Sequence, residues 1–107
     1  MEARPQEILF LEAGGVPEWL EELERADQDA YDAIVARLER VEEGNFGDYG
    51  PAGDVLELRF RMRGPGYRLY FGRHNDIVII LGAGTKTSQQ ADIEIASKLW
   101  KEYNDAE

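Results

Sequence analysis

The chain has no cysteine, so neither a disulfide framework nor a thiolate metal site is open to it. Its longest apolar run, Ile77–Leu81, is far too short to span a bilayer. The opening stretch Met1–Glu7 lacks a basic segment leading into an apolar one, so no signal peptide is expected. A cytoplasmic protein that needs no membrane, metal or other cofactor is the resulting expectation. Positive charge is scarce as well: 12 Lys and Arg stand against 22 Asp and Glu, a formal net charge of -10. Phosphate repels such a chain at long range, which argues against simple nucleic-acid binding.

The distribution of charge says more than its sum. Residues 1–54 hold fifteen acidic and four basic side chains, and residues 90–107 hold five and two. Between them, residues 55–89 hold two acidic and six basic side chains. A basic segment is thus set between acidic flanks. The length of 107 residues fits one domain spanning residues 1–107, with a core of ordinary stability, about 5–15 kcal/mol.

Glu7–Glu12 reads as an opening strand ended by Gly14-Gly15. Pro17 suits the first turn of a helix that carries Trp19, Leu20 and Leu23 on one face. A second helix, from about Asp27 to Val41, repeats apolar residues at Ala30, Ile34, Leu38 and Val41, making a helical hairpin with its break near Ala26-Asp27. Gly44–Gly53 is dense in turn formers and reads as a loop. Val55–Arg63 alternates apolar residues with Arg59, Arg61 and Arg63, which predicts a strand with one arginine-bearing face. Tyr67–Gly72 returns after the turn Gly64-Pro65-Gly66, and Ile77–Leu81 is apolar on both faces, as a central strand is. Thr87 and Gln90 suggest a capping box for a last helix buried through Ile93, Ala96, Leu99, Trp100 and Tyr103. The order is β-α-α-β-β-β-α. It predicts an α+β domain, with the helical hairpin and the C-terminal helix packed on one face of a small, mostly antiparallel sheet.

Two nucleotide or cation motifs fail on spacing. Gly82–Thr87 lacks the Gly-Lys-Ser/Thr ending of a phosphate-binding loop. Asp27, Asp29 and Asp32 lack the central glycine of a calcium loop.

An ordered set of residues resembles a known family. It comprises Trp19-Leu20 with Leu23, Arg37-Leu38, Gly44–Asp48, Glu57-Leu58-Arg59, Gly64–Phe71, Lys86–Gln89, Asp92-Ile93 and Ala96. In this the chain resembles the phage-derived killer-protein branch of the RelE/HigB toxins, over roughly residues 8–103. The resemblance implies a RelE/ParE-like fold and the toxin of a bacterial type II toxin–antitoxin pair. It implies a metal-independent mRNA interferase, an endoribonuclease acting on mRNA free or on the ribosome. The implied partner is a cognate antitoxin, of helix-turn-helix type.

Metal-free RNA cleavage needs a base at the ribose 2′-hydroxyl, cations around the phosphate and an acid for the leaving 5′-oxygen. Arg59 on the arginine face, Arg68 on the neighbouring strand and Lys86 after the central strand can converge on one phosphate. By resemblance, Arg68 and Lys86 align with catalytic basic positions and Arg59 with a basic position beside them. Asp92 aligns where the family places a tyrosine or an acid, which implies proton transfer. Tyr70 can stack on a base or donate a proton, and Gln89 can contact substrate or cap the helix. Glu57 shares the strand face with Arg59, where a cross-strand salt bridge is at least as ready an explanation. His74 reads as an exposed loop residue beside the Asn75-Asp76 turn.

Two other functions compete. One is a catalytically degenerate toxin fold that keeps a partner interface, motivated by the acidic hairpin and by Tyr49-Gly50 where the family has a loop lysine. The other is a ParE-like toxin directed at gyrase, since one fold hosts both activities.

Overall fold

A computed structural model describes residues 4–62 and 64–106. The strands are β1 (Glu7–Phe10), β2 (Tyr49–Ala52), β3 (Val55–Arg59), β4 (Arg68–His74) and β5 (Ile77–Gly84). The helices are α1 (Val16–Ala26), α2 (Gln28–Glu42) and α3 (Gln89–Asp105), with one-turn 3-10 helices at Glu12–Gly14 and Lys86–Ser88. The sheet runs β1-β5-β4-β3-β2. Only the β1–β5 pair is parallel; the other three are antiparallel.

The hairpin forms where the apolar period and the capping chemistry agree. Pro17 lies in the first turn of α1, where its missing N–H is no loss. Asp27 serves both helices: its N–H donates to Leu23 O at 2.7 Å, and its side chain accepts from Ala30 N–H at 3.1 Å. Ile34 and Val41 then reach full burial against the sheet.

The α+β class holds, but the helices do not share a face. The α1–α2 hairpin covers the side that carries Leu58, Phe60, Leu69, Phe71, Val78 and Ile80. The opposite side carries Val55, Tyr70, Ile79 and Leu81, and α3 covers it through Ile93, Ala96, Leu99 and Trp100. The reason lies in β5, where four consecutive residues from Val78 to Leu81 are at most 1% exposed. A strand apolar on both faces must be covered on both. At about 1.5–3 kcal/mol for each fully buried large aliphatic side chain, leaving one face bare would cost an amount comparable to the stability of a typical fold.

Three local expectations change. The Gly44–Gly53 loop contains β2, which pairs with β3 in the register Gly50↔Glu57 and holds Pro51 on an outer strand, where a missing donor is tolerated. β3 ends at Arg59 rather than at Arg63, which lies outside the described residues. The capping box is Thr85 with Ser88 rather than Thr87 with Gln90, and it closes the 3-10 turn Lys86–Ser88, where Thr85 N–H donates to Ser88 Oγ at 3.3 Å. α3 follows from Gln89, with Ser88 as its N-cap and no side-chain cap bond. His74 also differs from an exposed loop residue. It ends β4, its Nε2 lies 2.7 Å from Asn104 Oδ1, and its ring packs against Trp100 with centroids 4.9 Å apart. Among the described residues, no helix is long and apolar enough to cross a membrane.

Candidate active site

The antiparallel register lines up side chains of the α3-facing side in two adjacent cross-strand rows. One row runs Gly50, Glu57, Tyr70, Gly82 across β2, β3, β4 and β5. The next runs Arg59, Arg68, Gly84 across β3, β4 and β5. Directly opposed strand residues lie within side-chain reach, so this register alone brings two guanidiniums beside one carboxylate.

Glu57 is the centre of the cluster and is only 4% exposed. Its Oε1 accepts from Arg59 Nε at 2.9 Å, and its Oε2 accepts from Gln89 Nε2 at 3.0 Å. Arg68 Nε stands 3.8 Å from Oε1, near enough for charge attraction but beyond hydrogen-bond reach. A buried carboxylate survives only when paired and hydrogen-bonded, and Glu57 has both kinds of partner. The pairing raises the Arg59 guanidinium pKa above its ordinary value, chiefly through the Glu57 hydrogen bond.

Two glycines make room for this packing. A side chain at Gly50 would place its Cβ 2.6 Å from Arg59 Nη2. At Gly84, a Cβ would overlap the Asp92 carboxylate, which lies over that strand position and accepts from Ser88 Oγ.

Tyr70 is fully buried beneath α3, and its hydroxyl has no hydrogen-bond partner among the described residues. Burial first, and then the charges of Glu57 and Asp92, push its pKa up to about 12. The phenol is therefore neutral and proton-bearing over the physiological range. Its ring presents no open face for a base to stack on.

Lys86 is exposed in the turn before α3. Its N–H donates to Pro65 O at 3.1 Å, which fastens this turn to the Gly64–Gly66 turn. Arg68 Nη1 reaches the same turn, 3.2 Å from Tyr67 O and 3.5 Å from Gly66 O. Arg59, Arg68, Gln89 and Tyr70 thus gather around Glu57, with Asp92 over Gly84 on the Tyr70 side and Lys86 at the turn beside Arg68. Arg61 leaves the group and pairs with Asp48, while Arg59 Nη1 is 3.5 Å from the other oxygen of that carboxylate. These contacts hold the Asp48 pKa below its ordinary value, the Arg61 hydrogen bond most of all.

Sequence reasoning ranked Glu57 below its neighbours, although it is one of only two acids in the basic segment. That isolation was the available signal. Arg37 was not singled out for a structural role. Its guanidinium donates to Arg59 O at 3.0 Å, Asp48 O at 3.3 Å and Phe46 O at 3.4 Å, tying the chain on both sides of β2 and β3 to α2.

Residues 18–101 match the family model described as Phage derived protein Gp49-like (DUF891). The chain belongs to this Gp49-like family. The matched segment runs from α1 through most of α3, so every member of the Glu57 cluster of this Gp49-like protein lies inside it and β1 lies outside. The family is associated with toxins of the RelE type. No curated protein and no solved structure matches the chain.

Proposed function

We propose that this Gp49-like chain is the toxin of a type II toxin–antitoxin pair and cleaves mRNA without a metal, neutralised by a helix-turn-helix antitoxin. The observation that carries the reading is the buried Glu57 carboxylate held between the Arg59 and Arg68 guanidiniums. In the free chain the carboxylate is hydrogen-bonded to Arg59 and attracts Arg68 across 3.8 Å. An RNA phosphate competes for them, with Lys86 adding charge at the rim. The phosphate draws the guanidiniums outward, since their side chains are 26% and 16% exposed.

Glu57 so released is the base that removes the 2′-hydroxyl proton. The 2′-oxygen attacks phosphorus, the bond to the 5′-oxygen breaks, and a 2′,3′-cyclic phosphate and a 5′-hydroxyl result. The 5′-oxygen must gain a proton. Tyr70, kept protonated beside Glu57, is the candidate donor, and Asp92 above Gly84 is the second. Gln89 is the positioning residue that holds Glu57 Oε2.

The test is purified protein with mRNA, alone and with translating ribosomes, and the variants Glu57→Gln and Arg68→Ala. The expected result is cleavage by the wild type and about a hundredfold or greater loss in each variant. The closure of the cluster favours one competing reading, a toxin fold that binds but does not cleave, because Glu57 and Tyr70 are almost shut off from solvent. Intact RNA under both conditions would refute ours and favour that reading.

A further inference from the structure

A second surface lies away from this cluster, on the hairpin side of the sheet and at its β1 edge, with β5 and β4 between it and β3. Two adjoining depressions of about 290 and 280 Å³ run between β1 and the α1–α2 hairpin, and they share Phe10 and Leu20 as walls. Their floor is otherwise Ile8, Tyr31, Val35 and Leu38. Phe10 is 39% exposed, a large aromatic left half open beside other apolar side chains. Two adjoining apolar depressions separated by a shared Phe10–Leu20 wall offer seats for successive apolar side chains of one partner segment.

The charge around the strip selects the occupant. Glu21 and Glu24 of α1 line one depression, and Glu39 and Glu42 of α2 line the other. No basic side chain lines either, and none of the four glutamates forms an ion pair among the described residues. We infer that this groove docks an amphipathic helix of a partner protein, with apolar side chains in the Phe10–Leu20 strip and lysines or arginines along both flanks. Apolar anchors at i, i+3 or i+4 and i+7 suit a groove of this form, and the four acids set the sign of the flanking charge. A second copy of this chain is a poor occupant, because its own helices carry the same acidic faces. The inference does not depend on RNA cleavage, since it uses no residue of the Glu57 cluster.

The test is selection of a displayed library of helical peptides on the full chain, with the Phe10→Ser protein as counter-target. Phe10 is half exposed, so this substitution leaves the core intact. A Glu21→Lys, Glu39→Lys double variant is a second target. The expected result is enriched peptides with an apolar stripe and an excess of Lys and Arg. They lose at least about tenfold affinity for Phe10→Ser and for the charge-reversed variant, and they bind less tightly as salt rises. Enrichment without charge bias, equal binding to both variants, or no enrichment would overturn the inference. So would concentration-dependent self-association in sedimentation that Phe10→Ser abolishes, because the strip would then serve a second copy.

Discussion

Glu57 on β3 and Tyr70 on β4 stand directly opposite each other, and both are sealed beneath the start of α3, at 4% and 0% exposure. The carboxylate finds hydrogen-bond donors in Arg59 and Gln89, whereas the phenol oxygen finds none among the described residues. One cross-strand pair therefore joins a satisfied buried charge to an unsatisfied buried hydroxyl. Native proteins seldom leave a buried polar atom without a partner, and such atoms gather at working sites.

The Tyr70 hydroxyl contributes little to folding at neutral pH. Tyr70→Phe removes a buried donor without breaking a hydrogen bond, so the expected change in the urea midpoint is small, within about 1 kcal/mol, and of either sign. Strong destabilisation would show that the hydroxyl has a partner in solution.

Alkaline pH separates the same two proteins. The folded pKa of Tyr70, about 12, lies above the ordinary tyrosine value of 10.0. Below pH 10 both states keep the phenol proton and stability is unaffected by it; between pH 10 and about 12 stability falls, as the unfolded chain releases the proton that the folded chain retains. Wild-type stability should fall more steeply than that of Tyr70→Phe across this window, at about 1.4 kcal/mol per pH unit at most. Absorbance titration of the tyrosinates supplies an independent check. Parallel stability curves would contradict the raised pKa.

Removing the charge of Glu57 should have opposite effects on stability and on anion binding. Glu57→Gln leaves Arg59 and Arg68 without their buried counterion. Both guanidiniums reach solvent in part, so the expected cost is about 1–3 kcal/mol rather than that of a fully buried pair. The freed cations should bind a 2′-O-methyl oligonucleotide more tightly at low ionic strength, by about threefold or more. Fluorescence anisotropy and a urea melt measure the two effects. An unchanged anisotropy curve would mean that Glu57 does not hold the arginines back from phosphate.

Arg37 should govern the order of the segment that leads into the site. Its guanidinium binds three backbone oxygens and lies 4.7 Å over the Phe60 ring. Arg37→Met keeps much of the side-chain volume and removes the donors. The expected loss is about 2–3 kcal/mol, with faster amide exchange in residues 46–60 than in α3. Equal loss of protection in both segments would assign Arg37 a global role instead.

Patterns of short range were open to reading from residues alone. Ala30, Ile34, Leu38 and Val41 recur at helical spacing, so α2 follows from its own period, and Asp27 before them supplies the cap. The run Ile77–Leu81 marks a strand buried on both faces. The sign change of charge near residue 55 delimits the segment that contributes Glu57, Arg59, Arg68 and Lys86 to the site. β2 was hidden because Gly50, Pro51 and Gly53 speak for a turn, and only pairing with β3 outweighs that local preference.

Composition and periodicity by themselves determined the helical hairpin, the central strand and the basic segment, because each depends on neighbours within a few positions along the chain. The tertiary structure alone decided that α3 crosses to the far face of the sheet and that Glu57 sits between Arg59 and Arg68. Both depend on register between strands distant in sequence. A shift of one residue in that register would turn Glu57 away from α3 and toward the apolar hairpin.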